Sequence, residues 1–350
     1  MAGVSAQRTD KDRSAGYSPD SAPKRKRTRR KPITQEQIVL AIAVLLFAAF
    51  AVTLRGFLAP DNLMSLLQNV SILGVLGFGM AIAIIGRGID LAIVTTMVMS
   101  AAWMLVLSNH GMPIGLALMA GLGFSIVVGL IEGVLIAYVE IPAIFATLAM
   151  SSVIYGFSRM ALVTGDLIYM PEHTADVRLI GSGFVLGVPM PVILFLLIAA
   201  MGALALQYTK QGRFIRGMGD NPLRARIVGI PTRPMTIAQY IVSSVIGFIA
   251  GVIMATLIGS MNTRLVNSTM VYDVILVVVL GGIGLSGGRG GVRNVIVGTL
   301  LIGILLNGMT IMDVPYILQN LIKGLILLVA IIIDTLINPR DEQTSQQGDI

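Results

Sequence analysis

Ten apolar stretches, most of them about 20 residues long, follow one another along the chain with only short breaks between them. A helix needs about 20 apolar residues to cross the hydrocarbon core of a bilayer. Backbone polar groups in that core must be bonded within the protein, so helices are the expected structure. The pattern therefore predicts an all-α polytopic membrane protein with about ten transmembrane helices. The predicted spans are 37–57, 63–85, 91–108, 113–138, 142–164, 190–207, 237–260, 270–284, 293–310 and 316–337.

Composition limits the chemistry that such a chain can perform. Charged residues make up only 12% of it, whereas soluble domains contain about a quarter. The absence of cysteine excludes disulfide scaffolds, thiolate metal sites and cysteine nucleophiles. Two histidines are too few for a histidine-rich metal site. We therefore expect no catalytic residues, no metal and no cofactor, and a transport role rather than an enzyme.

The first 36 residues form a polar segment with seven Lys or Arg residues between positions 24 and 31. Such a run can bind nucleic acid, but cations next to a first transmembrane helix also keep its N-terminus in the cytoplasm. We favour the second interpretation and expect no nucleic-acid partner. The predicted organisation is a disordered basic cytoplasmic tail at 1–36, a transmembrane domain at 37–338 and a cytoplasmic tail at 339–350.

Charge supports the span count. The segment 208–236 contains six Lys or Arg residues, whereas the loop 165–189 has three acids and one arginine. With ten spans and a cytoplasmic N-terminus, 208–236 lies inside and 165–189 outside, as the positive-inside rule requires. The C-terminus is then cytoplasmic too.

Five spans in each half predict two inverted halves, an arrangement that many transporters share. Each half also contains a glycine-interrupted apolar segment, at 77–92 and at 275–288. Matching interruptions in the two halves indicate a substrate pathway.

Polar residues inside the spans are candidates for that pathway: Asn69, Arg87, Asp90, Glu132 and Asn307. Arg87 and Asp90 fit either a pathway or an ordinary ion pair on a short surface turn. Glu132 fits either a functional site or a structural hydrogen bond from a protonated carboxyl group. The asparagines more often bridge helices than contact substrate. Lys323 in the last span is expected to extend towards a membrane interface.

The peptide LSGGR at 285–289 looks like the signature of ABC-type ATPases. Such an ATPase also needs a G-x-x-x-x-G-K-[ST] loop to bind phosphate, and the sequence contains none. The chain is therefore not expected to hydrolyse ATP alone.

Four stretches resemble permease subunits of ribose-type sugar ABC importers: GRGIDLA at 86–92, IPAIFATLAM at 141–150, the loop 212–230, and the glycine-rich segment 277–309. The resemblance covers roughly 37–338. It implies a bacterial inner-membrane subunit that pairs with a second copy or a paralogue and contacts membrane lipid. It further implies a cytoplasmic ABC ATP-binding subunit as motor, and a soluble extracytoplasmic binding protein that delivers a monosaccharide or related polyol.

The same resemblance implies that the cytoplasmic loop contains a short coupling helix, at about 221–229, which docks on the ATPase. The residues that match the family pattern are Gly219, Asn221, Ala225, Arg226 and Gly229. Other positions depart from it: Arg87 replaces a glycine, Ala92 a serine, and Glu132 stands where asparagine is common. These departures indicate that the substrate need not be ribose.

An ion-coupled secondary carrier is the alternative function. It would use Glu132 or Asp90 as a proton or sodium relay and would need no ATPase. The cytoplasmic loop of about 29 residues argues mildly against it, because a self-sufficient carrier needs no docking platform.

Overall fold

The computed structural model describes residues 35–337. Most of the expected tail at 1–36 and all of the expected tail at 339–350 lie outside this range. The α-helices are α1 Gln35–Thr53, α2 Pro60–Ile85, α3 Ile93–Asn109, α4 Ile114–Ala137, α5 Ala143–Ala161, α6 Ala175–Ser182, α7 Met190–Tyr208, α8 Lys210–Asp220, α9 Pro222–Ile227, α10 Thr232–Ile258, α11 Met270–Leu280, α12 Val292–Ile311 and α13 Tyr316–Ile337. The short strands are β1 Leu167–Tyr169, β2 Phe184–Val185, β3 Val188–Pro189 and β4 Ser260–Asn262.

Each of the ten predicted spans corresponds to an apolar helix. Within the described part of the chain, eight helices are long and apolar enough to cross a membrane, namely α1, α2, α4, α5, α7, α10, α12 and α13. The predicted spans 91–108 and 270–284 are the shorter helices α3 and α11, of 17 and 11 residues. The all-α polytopic class is thus confirmed, and the inverted relation of the two halves stays a prediction.

Non-helical backbone flanks both short helices, at 86–92 before α3 and at 281–291 after α11. Side chains from neighbouring helices bond its polar groups. The Thr147 hydroxyl on α5 accepts from the Leu91 amide and donates to the Ile89 carbonyl, each at 3.1 Å. Asp334 on α13 accepts from the Leu285 amide at 3.2 Å. Protein groups therefore replace the water that such backbone would otherwise need.

At one end of the bundle, contacts join the loops that the positive-inside rule places in the cytoplasm. Glu140, just after α4, forms an ion pair with Arg233 at the start of α10, with 3.1 Å between Oε1 and the guanidinium. The Gly288 amide donates to the Ile85 carbonyl at 2.8 Å, which joins 281–291 to the end of α2. We call this the basic end, because α8 and α9 also lie there.

The opposite end contains an antiparallel pair of β1 and β4 next to a charged cluster. Asp166 accepts from two arginines, with Oδ1 2.9 Å from Arg159 and Oδ2 2.7 Å from Arg264. Hydrogen bonding and charge from Arg264 lower the pKa of Asp166, and Arg159 adds to this effect. The end of α5 is thereby linked to the chain that follows α10.

A buried ion pair joins α11 to α13. Lys323 Nζ lies 2.8 Å from Asp273 Oδ1 and 3.1 Å from the Thr269 hydroxyl, and only 7% of the lysine side chain is exposed. The expectation that Lys323 extends to an interface is therefore wrong. A buried ammonium group is tolerated here because a carboxylate and a hydroxyl bond it.

The centre of the bundle is α10, which packs against α2, α3 and α4. Glycines allow it to approach α4 at backbone distance. A Cβ atom added at Gly129 would lie 2.6 Å from the Ile241 Cα atom, and one added at Gly133 would lie 2.5 Å from the Ile237 Cα atom. Such close approach is how membrane helices maximise their packing contacts.

We predict that Gly129→Ala lowers the stability of the protein by about 1–3 kcal/mol, because overpacking against the α10 backbone forces the two helices apart. The measurement is the apparent melting temperature of the purified protein in detergent. Gly123→Ala is the matched control, since Gly123 lies on the same helix with open space around it. Equal melting temperatures for the two variants would contradict the close packing of α4 and α10.

Candidate functional site

The segment 86–92 lies directly on α10. A Cβ atom added at Gly86 would overlap the Gln239 side chain, and one added at Gly88 would overlap the Tyr240 hydroxyl. Between them Arg87 has a left-handed backbone with φ of 72°. The two glycines are therefore required so that the chain can turn against the helix.

Asp90 is fully buried at the end of this turn. Its Oδ2 accepts from the Ser243 hydroxyl at 2.6 Å and its Oδ1 accepts from the Ala92 amide at 3.1 Å. Within residues 35–337, Arg87 forms no ion pair with it. The interpretation of Arg87 and Asp90 as an exposed surface pair is therefore wrong.

Glu132 faces the same region from α4 and is also fully buried. It interacts electrostatically with Asp90 and with Tyr240. Neither of its carboxyl oxygens has a hydrogen-bond partner among the described residues. The structural hydrogen bond that the sequence left open for Glu132 is thus not formed in this conformation.

We call the group made by Asp90, Glu132, Gln239, Tyr240 and Ser243 the buried polar cluster. Gln239 Nε2 and the Tyr240 hydroxyl are buried without a partner in the described chain, as are both oxygens of Glu132. Buried polar groups are normally bonded, so these unpartnered groups make the buried polar cluster a candidate site for a ligand or for a change of contacts. The described residues include no group of three His, Cys, Asp or Glu side chains that could bind a metal ion.

The other two pathway candidates lie elsewhere. Asn307 on α12 exchanges side-chain hydrogen bonds with Asn62 on α2, at 2.9 and 3.1 Å. Asn307 therefore bridges α2 and α12 at the end of the bundle opposite the basic end. Asn69 is exposed on α2, about 24 Å along the helix from the segment that contains Asp90. Of the five candidates, the structure places only Asp90 and Glu132 together, with Arg87 nearby in the chain.

Sequence reasoning missed the contribution of α10 to this cluster. Gln239, Tyr240 and Ser243 are polar residues at helical spacing within an apolar span. Residues three and four positions apart share a helix face, so this pattern could have identified the face that meets Asp90.

At the basic end, α8 and α9 contain the residues expected to couple the chain to an ATPase. Asn221 Oδ1 accepts from the Arg224 amide at 2.9 Å and so caps α9. Ala225 is buried against Met218 and Met235. Gly229 ends the segment with a left-handed backbone, at φ of 81°. Helix α9 is therefore a capped turn anchored by one small apolar residue.

Gly219 lies where three backbone segments meet. A Cβ atom added there would overlap the Ile85 carbonyl oxygen and the Gly288 amide nitrogen. The Gly288 amide itself donates to the Ile85 carbonyl. The end of α8 thus contacts the end of α2 and the segment 281–291 through backbone atoms. No flexible side chain separates the end of α8 from these two segments.

The exposed surface of α9 and of the residue after it combines apolar and cationic side chains. Ile227 is 84% exposed and Val228 74%, and Leu223 is also exposed. Arg224 and Arg226 lie between them and are exposed as well. We call the surface made by Leu223, Arg224, Arg226, Ile227 and Val228 the α9 tip. An exposed apolar group with a cationic border is typical of a protein-docking surface.

Comparison with known proteins adds an independent result. The family model described as "Branched-chain amino acid transport system / permease component" matches residues 62–331. The ribose import permease of Bacillus subtilis is 32% identical over 279 residues, which cover 80% of this chain and 86% of that protein. The ribose import permease of Haemophilus influenzae is 27% identical, over 85% and 93% of the two chains. The L-arabinose ABC transporter permease of Azospirillum brasilense is 29% identical, over 91% and 93%. No solved structure is a significant match.

We predict that Asp90→Asn destabilises the protein by about 1–3 kcal/mol, because an amide cannot replace both acceptor oxygens and leaves a buried donor unpaired. Glu132→Gln should cost less than about 1 kcal/mol, because the glutamate makes no hydrogen bond that the amide would lose. Apparent melting temperatures in detergent compare the two variants, with Ser243→Ala as a second probe of the Asp90 bond. A Glu132→Gln variant as unstable as Asp90→Asn would contradict the geometry of the cluster.

Proposed function

Because the chain belongs to this family of transport-system permease components, we propose that it is the membrane-spanning subunit of an ATP-driven ABC importer for a monosaccharide or a related polyol. The family resemblance of the four sequence stretches is confirmed by the match over 62–331. The chain is a multi-pass membrane protein and a transport component, not an enzyme.

The choice of a sugar over a branched-chain amino acid depends on the relatives. The family description mentions amino acids, but relatives that match 85% or more of this chain include permeases named for ribose, fructose and L-arabinose. Polar groups of the buried polar cluster can donate to and accept from hydroxyl groups. A solute rich in hydroxyl groups fits that chemistry better than an apolar amino-acid side chain does.

The observation that carries the proposal is the α9 tip. Ile227 and Val228 are exposed at the basic end, and a surface of this kind is stabilised when a partner protein covers it. The sequence has no phosphate-binding loop of its own. The partner we propose is a cytoplasmic ATP-binding subunit that docks on this tip.

Movement of the docked subunit would reach the membrane through rigid contacts. Ala225 transmits a push from α9 to Met218 on α8. Gly219 then presses on Ile85 and Gly288, so the non-helical segments 86–92 and 281–291 shift together. Because 86–92 contains Asp90, the contacts of the buried polar cluster change as α10 and α4 move. This is a rigid-body transition of the kind that drives alternating access.

The remaining partners follow from the same scheme. With the basic end in the cytoplasm, both termini are cytoplasmic and the strands β1–β4 face outward, where a soluble binding protein would deliver the solute. A second permease copy or a paralogue would complete the pathway. Exposed apolar residues along α5 and α13, such as Phe145, Phe157, Leu321 and Leu325, leave room for lipid or that second copy.

We predict that Ile227→Asp abolishes co-purification of the ATP-binding subunit and ATP-driven uptake, because a charge in the centre of the α9 tip opposes desolvation. The measurement is a pull-down from membranes followed by uptake in proteoliposomes. Leu186→Asp is the matched control for co-purification of the ATP-binding subunit, since Leu186 is fully exposed at the opposite end.

Retained ATPase binding by Ile227→Asp would contradict the docking surface. Solute accumulation by the purified chain without any ATPase would contradict the proposed function and favour the ion-coupled carrier.

The role of the intramembrane charges is tested separately. We predict that Glu132→Gln and Arg87→Gly change the relative uptake rates of a panel of labelled sugars and polyols in the complete transporter. A side chain that bonds a hydroxyl group of one solute is left unpaired by a solute that lacks this hydroxyl. Such side chains therefore discriminate among solutes. Unchanged selectivity in both variants would remove Glu132 and Arg87 from the pathway.

A further inference from the structure

A cavity of about 780 Å³ opens between α7 and α12 at the basic end. Its inner wall is apolar and is made by small residues of α7, among them Ala199, Ala200 and Ala203, with Leu196 above them and Ile296 opposite on α12. Small side chains on one helix face produce a groove rather than a ridge. Leu196 is 53% exposed, so the groove opens towards the bilayer.

The polarity of the cavity changes along the helix axis. The apolar residues Leu196 to Ala203 extend over about two turns of α7. Gln207, next to the last residue of α7, lines the polar end, together with Arg293 and Asn294 in the first turn of α12. The apolar part therefore points towards the membrane centre, and the polar part lies at the level of the basic end.

Among the described residues, one cation and one acid line the polar part, Arg293 and Glu36, and a second cation, Arg216, lies beside it, so cations outnumber acids there. Arg293 is exposed and has no hydrogen bond or ion pair within residues 35–337. Arg216 donates to the carbonyl of Gly290, which also lines the cavity, at 3.4 Å. The 20-residue helix α12 begins here without a side-chain cap, so its positive dipole end adds to the arginine charge.

We propose that this cavity binds an anionic phospholipid, with the phosphate at Arg293 and the start of α12 and an acyl chain along Ala199, Ala200 and Ala203. The geometry fits a molecule with an anionic head and an apolar tail aligned along the membrane normal. Basic pockets between helices on the cytoplasmic side bind anionic headgroups in this way. The proposal uses the orientation with the basic end inside and does not depend on which solute is transported.

A free anion and a second copy of the chain are the competing occupants. A free anion would leave the apolar wall of α7 uncovered. A second copy would have to insert an acidic residue at Arg293 and a ridge into the alanine groove. The match of both charge and polarity to one molecule favours the lipid.

The experiment measures retention of phosphatidylglycerol by the purified full-length protein, using native mass spectrometry after equilibration with mixed micelles of phosphatidylglycerol and phosphatidylcholine. The wild type should retain phosphatidylglycerol in preference to phosphatidylcholine. Arg293→Gln should lower this retention about fivefold, the effect of one cation near a membrane surface. Ala203→Phe should lower it as well without any change in charge, because the ring fills the apolar groove.

Arg289→Gln is the matched control. Arg289 is exposed in the segment 281–291, next to the lining residue Gly290, but does not itself line the cavity. Retention by this variant should therefore stay at the wild-type level. Melting temperatures of the variants, measured without lipid, show whether a loss of retention reflects unfolding.

Three outcomes would overturn the proposal. Equal retention by wild type and Arg293→Gln would show that Arg293 does not bind the lipid phosphate. Displacement of the lipid by inorganic phosphate, with no effect of Ala203→Phe, would identify a simple anion site. Because the chain has no cysteine, Ala200→Cys provides a single cross-linking position, and efficient disulfide formation between two copies there would place a second chain in the groove.

Discussion

Non-helical backbone inside a membrane protein must have its polar groups bonded by the protein itself, and this requirement organises the whole structure. Segments 86–92 and 281–291 both depend on it. Thr147 bonds the first segment from α5, and Asp334 bonds the second from α13. The two segments also bond each other, through the amide of Gly288 and the carbonyl of Ile85. Neither segment can therefore move without changing the bonds of the other.

Because segments 86–92 and 281–291 bond each other, contacts at the basic end are linked to contacts in the membrane interior. The end of α8 reaches both segments at Gly219, where there is no room for a side chain. The first segment in turn positions Asp90 against Ser243 on α10. A partner that displaces the α9 tip would alter a buried carboxylate through a short series of packed contacts. Packed elements of this kind switch between discrete arrangements rather than deform continuously.

Glu132 is the most unusual member of the buried polar cluster, because a buried carboxyl group without a partner is costly. Its companions Gln239 and Tyr240 also have unpartnered polar atoms in the described chain. These groups would be bonded if α4 and α10 separated enough to admit solute or water. A change in conformation at the cluster would therefore stabilise several polar groups at once.

The amino-acid sequence by itself determined the class of the fold, the approximate position of every apolar helix and the family. Each of these depends on local signals: the length of an apolar run, the glycine and proline breaks, and short stretches such as GRGIDLA at 86–92 and IPAIFATLAM at 141–150. The coupling role that the resemblance implies for Asn221 and Ala225 stays a prediction, although the structure shows that Asn221 caps α9 and that Ala225 is buried. The span 91–108 agrees with α3 to within two residues, and 270–284, already short in the sequence, extends past the end of α11 because apolar residues continue into the non-helical segment.

Only the tertiary structure decided which polar residues meet. Asp90 and Glu132 lie together, and Asn307 pairs with Asn62, which the sequence could not identify as its partner. Lys323 is buried against Asp273 instead of extending to an interface. A contact between helices depends on how they rotate and pack against each other. Periodicity along one chain identifies an apolar face, but not which polar group of a distant helix lies opposite it.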